Sequence, residues 1–174
     1  IILEYNLSFK KPFGISGPIK LDPATVVVTG AAEDLEDIKF WRTDSLSLKD
    51  ISSSVNAKVN FQKGANNNID VFPRSVKVEV PVDEFTEKIL DVPIEVENNP
   101  GRDIKIVPER AKITLLTALS NYSKIERDSI QVSVDLDDWS KKKYPQLPLR
   151  ITKFPNFCQL VKAEPQTMDF LVKK

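Results

Sequence analysis

An internal repeat constrains this chain more than any single motif does. The segment IKLDPATVVVT, residues 19–29, aligns with IKIVPERAKIT, residues 104–114. The alignment places Pro23 opposite Pro108, so the offset in sequence number is 108 − 23 = 85. Because self-similarity at a fixed period indicates a repeated structural unit, the sequence predicts two related modules.

A second match supports the same division. DSLSL from Asp44 aligns with DSIQV from Asp128 at nearly the same offset, 128 − 44 = 84. We therefore predict a first module at residues 1–83 and a second, divergent module at residues 84–174, in a chain of 174 residues.

A shorter pattern recurs inside each module, a proline followed three and five residues later by apolar side chains. A proline has a fixed φ and no amide donor, so it suits the start of a strand. The repetition predicts that each module has pseudo-twofold halves. The four copies are Pro23 with Val26 and Val28, Pro73 with Val76 and Val78, Pro108 with Ala111 and Ile113, and Pro165 with Met168 and Phe170.

Strands are expected to dominate both modules. The chain has 5 glycines and 12 prolines, and the prolines separate short runs that alternate apolar and polar residues, as half-buried strands do. The predicted fold class is mainly β with short helices. The predicted strands are residues 2–9, 25–29, 46–48, 55–61, 76–80, 92–97, 111–115, 130–134, 147–152 and 167–172.

Helices are the minority element. AAEDLEDIKF, residues 31–40, has Leu35 and Ile38 three apart and acids in its first turn, which favours a short helix. TALSNYSKI, residues 117–125, and DLDDWSKKKYP, residues 135–145, predict two more.

Composition argues against several function classes. Lys and Arg number 25 and Asp and Glu also 25, whereas a nucleic-acid binder normally carries a basic excess. Histidine, the commonest general base and metal ligand, is absent. Cys158 is the only cysteine and is predicted to be a small buried hydrophobe. We expect no nucleic-acid partner, no cofactor and no catalytic residues.

The order of motifs resembles the YbbR-like domain. That family has a proline, x, x, valine, x, valine, x, glycine cadence before a helix, as in PATVVVTG, and a late cadence like VFPRSVKVEVPV. The second module departs from it, with Leu115 in the position of Gly30 and with Ala111 in place of a valine.

The resemblance implies intertwined half-repeats in tandem modules, anchored by an N-terminal transmembrane helix upstream of Ile1 and located outside the cytoplasm. It also implies an interaction or regulatory role, with a membrane diadenylate cyclase as the candidate partner. The alternative is a structural envelope or adhesion module that binds glycan or peptide. An enzyme is the least favoured class, and the family offers no catalytic residues.

Trp41 and Arg42 are the predicted partner-contact residues, because Trp and Arg are enriched at interface hot spots. Phe40 precedes Trp41, and adjacent strand residues point to opposite faces, so one ring is expected inside and the other outside. The alternative is that both rings pack at the edge of the module.

Several charged or polar segments have a structural interpretation beside a functional one. We favour solvated or capping roles over calcium binding for the acids, and a solvated run over a lipid contact for KKKY. GANNNID is interpreted as a hairpin tip rather than a glycan or partner contact, and NYS supports no glycosylation claim. The segments are Glu33, Asp34, Glu36 and Asp37; Asp135, Asp137 and Asp138; Lys141–Tyr144; Gly64–Asp70; and Asn121–Ser123.

Overall fold

A computed structural model describes residues 1–64 and 68–173. The prediction of a mainly β chain with short helices is confirmed. The structure divides into two compact units, Ile1–Glu84 and Phe85–Lys174.

The first unit consists of short strands and one short helix. Its elements are β1 (Tyr5–Phe9), β2 (Phe13–Ile15), β3 (Lys20–Asp22), β4 (Val27–Thr29), α1 (Ala32–Leu35), β5 (Leu46–Ile51), β6 (Val55–Asn60), β7 (Asp70–Phe72) and β8 (Ser75–Val80).

The second unit has longer strands. Strand β9 (Val82–Glu97) has its first three residues in the first unit and the rest in the second. The other elements are β10 (Ile104–Val107), β11 (Arg110–Ala118), 3-10 helices at Leu119–Lys124 and Arg127–Ser129, β12 (Gln131–Asp135), α2 (Asp137–Ser140), β13 (Leu147–Pro148), β14 (Arg150–Lys153), β15 (Cys158–Glu164) and β16 (Thr167–Val172).

Two antiparallel strand pairs flank the prolines of the first unit. Strand β3, before Pro23, pairs with β8, with Asp22 opposite Lys77. Strand β4, after Pro23, pairs with β7, before Pro73, with Val27 opposite Phe72. The residue numbers of each pair add up to 99, so both pairs belong to one antiparallel register that is interrupted at the two prolines.

The second unit repeats this arrangement around Pro108 and Pro165. Val107 of β10 lies opposite Asp169 of β16, and Lys112 of β11 lies opposite Glu164 of β15. The residue numbers of each pair add up to 276, so a single antiparallel register is again interrupted at the prolines.

The pairings of the two units also correspond to each other. The offset from Val27 to Lys112 is 112 − 27 = 85, and the offset between their partners Phe72 and Glu164 is 164 − 72 = 92. Adding 85 to residue number 22 and 92 to residue number 77 gives 107 and 169, which are also paired. Each unit also has a parallel pair, β1 with β5 and β9 with β12.

Burial follows the predicted alternation. In the first unit one cluster forms around Val59, Val76, Val78 and Val80. The second unit has two clusters, one around Ile113 and Leu115 and one around Val134, Leu147 and Met168. The proline cadence correctly predicted inward-facing residues, because five of its eight apolar positions are buried and the other three are half-buried.

All ten predicted strands contain observed strand residues, but the helices are shorter than predicted. The residues predicted as a helix at 31–40 form only the four-residue α1, and those at 117–125 form a 3-10 helix. Five strands were missed: β2, β3, β7, β10 and β15.

Candidate functional site

Trp41 is an interior residue of the first unit and Phe40 is an exposed one. Trp41 is 8% exposed, and its indole Nε1–H donates a hydrogen bond to the carbonyl oxygen of Gln62 at 2.9 Å. Phe40 is 52% exposed. The expectation that one ring lies inside and the other outside is confirmed.

Arg42 lies over the exposed Phe40 ring. Its guanidinium carbon is 5.3 Å from the ring centroid, within the range of a cation–π contact. The guanidinium also forms an ion pair with Glu4. The contact role predicted for Trp41 and Arg42 stays a prediction. Because Trp41 is buried, the solvent-accessible surface next to it is formed by Phe40 and Arg42. We call these two residues the Phe40–Arg42 face.

A groove of about 330 Å³ lies next to this face in the first unit. It is open and largely apolar, and its lining includes Ile1, Val26, Val28, Leu35, Ile38 and Trp41. Val26 and Val28 are half-buried, whereas their counterparts Ala111 and Ile113 are fully buried. The apolar cadence of β4 therefore faces a partly uncovered region.

The acids after β12 form a charged network with basic side chains. Arg150 donates to Asp135 at 2.9 Å and to Asp138 at 2.7 Å. Asp138, fully buried, also accepts a hydrogen bond from Lys142 at 2.7 Å. Lys141 pairs with Asp137 at 2.7 Å. Every one of these carboxylates has a cation, so the cluster is built as a structural ion network.

Asp135 is held in its ionised form. The side-chain hydrogen bond from Asn98 contributes most to lowering the pKa of Asp135, followed by the backbone N–H of Asp137 and by Arg150. A lowered folded-state pKa stabilises the fold above the unfolded-state pKa, and this stabilisation is lost as the pH falls through the folded-state value.

We therefore expect the free energy of unfolding to depend less on pH in the acidic range for the Asp135→Asn variant than for the wild type. Its stability loss relative to the wild type should be largest at neutral pH and shrink below about pH 4, near the ordinary pKa of an aspartate. Urea titrations of both proteins from neutral to acidic pH measure this. Asp103→Asn, at an exposed ion pair with Lys173, is the control, and a constant difference at all pH values contradicts the expectation.

The other predicted sites are placed as follows. The acids Glu33 and Asp34 lie in the first turn of α1. Among residues 1–64 and 68–173, no group of three or more acidic or cysteine side chains is arranged to hold a metal ion. Lys141 and Lys142 of the KKKY run are paired to acids, and Tyr144 is exposed.

Cys158 is buried in the core cluster around Ile113, as predicted. Burial raises the pKa of its thiol, so the reactive thiolate is disfavoured.

Of the GANNNID segment, residues 65–67 lie outside the described residues, and the role predicted for the segment stays a prediction. Asn121 of NYS lies in the 3-10 helix Leu119–Lys124.

Sequence reasoning missed one feature in each unit. It did not identify the groove, although the apolar residues Val26, Val28, Leu35 and Ile38 were all recognised as inward-facing candidates. It also did not identify Arg150 as the partner of the aspartates, because 12 and 15 residues separate it from Asp138 and Asp135 in sequence.

No helix within the described part of the chain has the length and apolar character needed to cross a membrane.

The fold and the surface define a class, a β-rich module in which an antiparallel strand pairing is interrupted at prolines and an apolar groove lies beside an aromatic and basic face. Residues 11–80 match the family model described as YbbR-like protein, so this part of the chain is similar to that family. The resemblance inferred from the proline cadence is thus confirmed for the first unit.

Comparisons with curated proteins and with solved structures provide less information about the chain. No curated protein matches the chain. A crystal structure of a YbbR-like protein from Streptococcus pneumoniae TIGR4 is similar at 13% sequence identity, covering 98% of this chain and 92% of that one, with a TM-score of 0.35.

Proposed function

We propose that this chain is a non-catalytic interaction module that binds and regulates a protein partner at a membrane. The Phe40–Arg42 face is the observation that carries the proposal. Aromatic side chains and arginine are enriched at protein interfaces relative to the rest of the surface, and arginine is also enriched among the residues that dominate binding energy.

The backbone that bears this face is held on both sides. The carbonyl oxygen of Trp41 accepts a hydrogen bond from Ile2 N–H at 2.9 Å, and the carbonyl oxygen of Arg42 accepts one from Gln62 N–H at 3.0 Å. Thr43 N–H donates to Ile2 at 3.0 Å. A contact surface fixed before binding loses less conformational entropy on association, which favours affinity.

The proposal extends to the second unit as a divergent YbbR-like module. Its support is the correspondence of strand pairs at constant offsets around Pro23 and Pro108 and around Pro73 and Pro165. The replacement of Gly30 by Leu115 accompanies the longer strand β11, which continues where β4 stops.

Localisation and partner follow from the family resemblance. The modules are proposed to lie outside the cytoplasm, anchored by an N-terminal helix, where they act on a membrane enzyme. A diadenylate cyclase, which makes cyclic di-AMP, is the candidate enzyme.

The test is the double substitution Phe40→Ala with Arg42→Ala in the full-length protein. We expect at least a tenfold loss of co-purified partner, because hot-spot truncations cost about 2 kcal/mol or more each. Cellular cyclic di-AMP should change in the same direction as in a deletion strain.

Phe72→Ala is the matched control, since Phe72 is 74% exposed in the same unit and lies outside the groove and the Phe40–Arg42 face. The regulatory role is contradicted if the cellular concentration of cyclic di-AMP is unchanged in both the deletion strain and the double variant.

A second candidate function is peptide recognition by an envelope or adhesion module, and the groove next to the Phe40–Arg42 face favours it. A gene neighbourhood of surface-polysaccharide genes supports this alternative, whereas an adjacent diadenylate cyclase gene supports regulation.

A further inference from the structure

An exposed apolar pair lies on the outer face of the ribbon that β4 and β7 form. Val27 and Phe72 lie directly opposite each other across the two strands, and they are 63% and 74% exposed. Side chains that face each other across an antiparallel pair are close enough to present one surface. We call these two residues the Val27–Phe72 patch.

The second unit shows that the fold does not require an apolar pair at this place. The offsets of 85 and 92 that relate the two units put Lys112 in the position of Val27 and Glu164 in the position of Phe72. Both charged side chains are exposed, although their sheet has a further strand, β9, beside β11. A strand added beside β4 would therefore leave the outer face of the patch uncovered.

Two charges of opposite sign flank Phe72 in sequence. Asp70 precedes it by two residues and Arg74 follows it by two, and both are exposed. In the part of the chain that the structure describes, no ion pair involves either of them. The counterpart of Asp70 is Lys162, because 162 − 70 = 92, and it forms an ion pair with Glu164. The first unit thus keeps both charges available for an intermolecular contact.

The order of acid, aromatic ring and base is complementary to itself. In a twofold interface the same patch of both copies is used, so a contact of residue i with residue j is repeated as j with i. When two β7 strands meet antiparallel about an axis at Phe72, Asp70 of each copy lies near Arg74 of the other. The two apolar pairs then cover each other at the centre.

We propose that the Val27–Phe72 patch is the contact between two copies of this chain, related by a twofold axis with their β7 strands antiparallel. Burial of the apolar pairs supplies affinity, and the two pairs of Asp70 with Arg74 fix the orientation. The inference goes beyond the proposed partner function and does not depend on it, because the patch is separate from the Phe40–Arg42 face.

Sedimentation velocity of the chain over a range of concentrations measures the association. The wild type should form a concentration-dependent dimer. Phe72→Glu should raise the dissociation constant about tenfold or more, because it places a charge against an apolar surface. We expect this variant to fold, since the second unit has a glutamate at the same position, and circular dichroism checks this. Leu171→Glu, at a 61% exposed apolar position of the second unit, is the matched control and should dimerise normally.

Exchange of the flanking charges identifies the partner as a second copy. Asp70→Arg and Arg74→Asp should each weaken association about tenfold or more, because each variant brings like charges together across the axis. An equimolar mixture of the two variants should associate again, since one is positive at both positions and the other is negative at both. A membrane or an unrelated protein would not produce this recovery.

Three results overturn the proposal: a wild type that stays monomeric at millimolar concentration, a dimer unaffected by Phe72→Glu, and a mixture that associates no better than the single variants. Binding to anionic lipid vesicles that Phe72→Glu abolishes, without dimers, identifies a membrane as the occupant and also overturns it. The partner function is tested separately by Phe40→Ala with Arg42→Ala, a variant whose dimers should be intact.

Discussion

Replacing Ile113 with alanine is expected to lower the free energy of unfolding of the second unit by about 3 kcal/mol. Ile113 is fully buried at the centre of a cluster with Ala111, Leu115 and Val132. The loss combines the transfer energy of the removed methyl groups with the cavity that the surrounding strands cannot fill.

The measurement uses the two tryptophans, one in each unit. In a Trp41→Phe background Trp139 is the only tryptophan, so urea unfolding followed by fluorescence reports the second unit. Ile89→Ala is the control, because Ile89 is 59% exposed on a neighbouring strand of the same sheet and should cost no more than about 0.5 kcal/mol. Equal losses in the two variants would contradict the packing described for this unit.

Replacing Arg150 with alanine is expected to destabilise the second unit by about 3 kcal/mol. Arg150 bridges Asp135 and Asp138, and Asp138 has no solvent exposure. Removal of the guanidinium leaves the Asp138 carboxylate buried with Lys142 as its one remaining cation among the described residues, and a buried charge that loses a partner is costly.

Arg110→Ala is the matched control for this prediction. Arg110 pairs with Asp91 at 3.1 Å, but both side chains are largely exposed, and exposed ion pairs contribute only about 0 to 1 kcal/mol. Arg150→Lys should fall between the wild type and Arg150→Ala, because an ammonium group keeps the charge but loses the fork that reaches two carboxylates. The assignment fails if Arg150→Ala unfolds no earlier in urea than Arg110→Ala.

The proline cadence predicted the strands after each proline and missed those before them. Strands β8, β11 and β16 each present two or more apolar residues in alternation, which is a recognisable signal. Strands β3 and β7 have three residues with only the central one turned inward, so no periodicity is available. They are strands because β8 and β4 pair with them, and that pairing connects residues far apart in sequence.

The candidate site was predictable only in part. Alternation required Phe40 and Trp41 to face opposite ways, but it could not decide which ring is buried. The carbonyl of Gln62 accepts the indole hydrogen bond of Trp41, and a partner so distant in sequence leaves no trace in the local pattern. The groove was invisible for a related reason: its lining brings together residues as far apart in sequence as Ile1, Val28 and Trp41.

The pairing of β3 with β8 and of β4 with β7 also bears on how the chain folds as it emerges from the ribosome. Asp22 meets Lys77 although strands β4 to β7 lie between them in sequence, and ribbons built from such distant contacts form slowly. Strands β3 and β4 therefore cannot pair with β8 and β7 until those strands have been synthesised. During that interval their apolar edges are open to chaperones or to other nascent copies, and translation speed between Asp22 and Val80 becomes a determinant of the yield of folded protein.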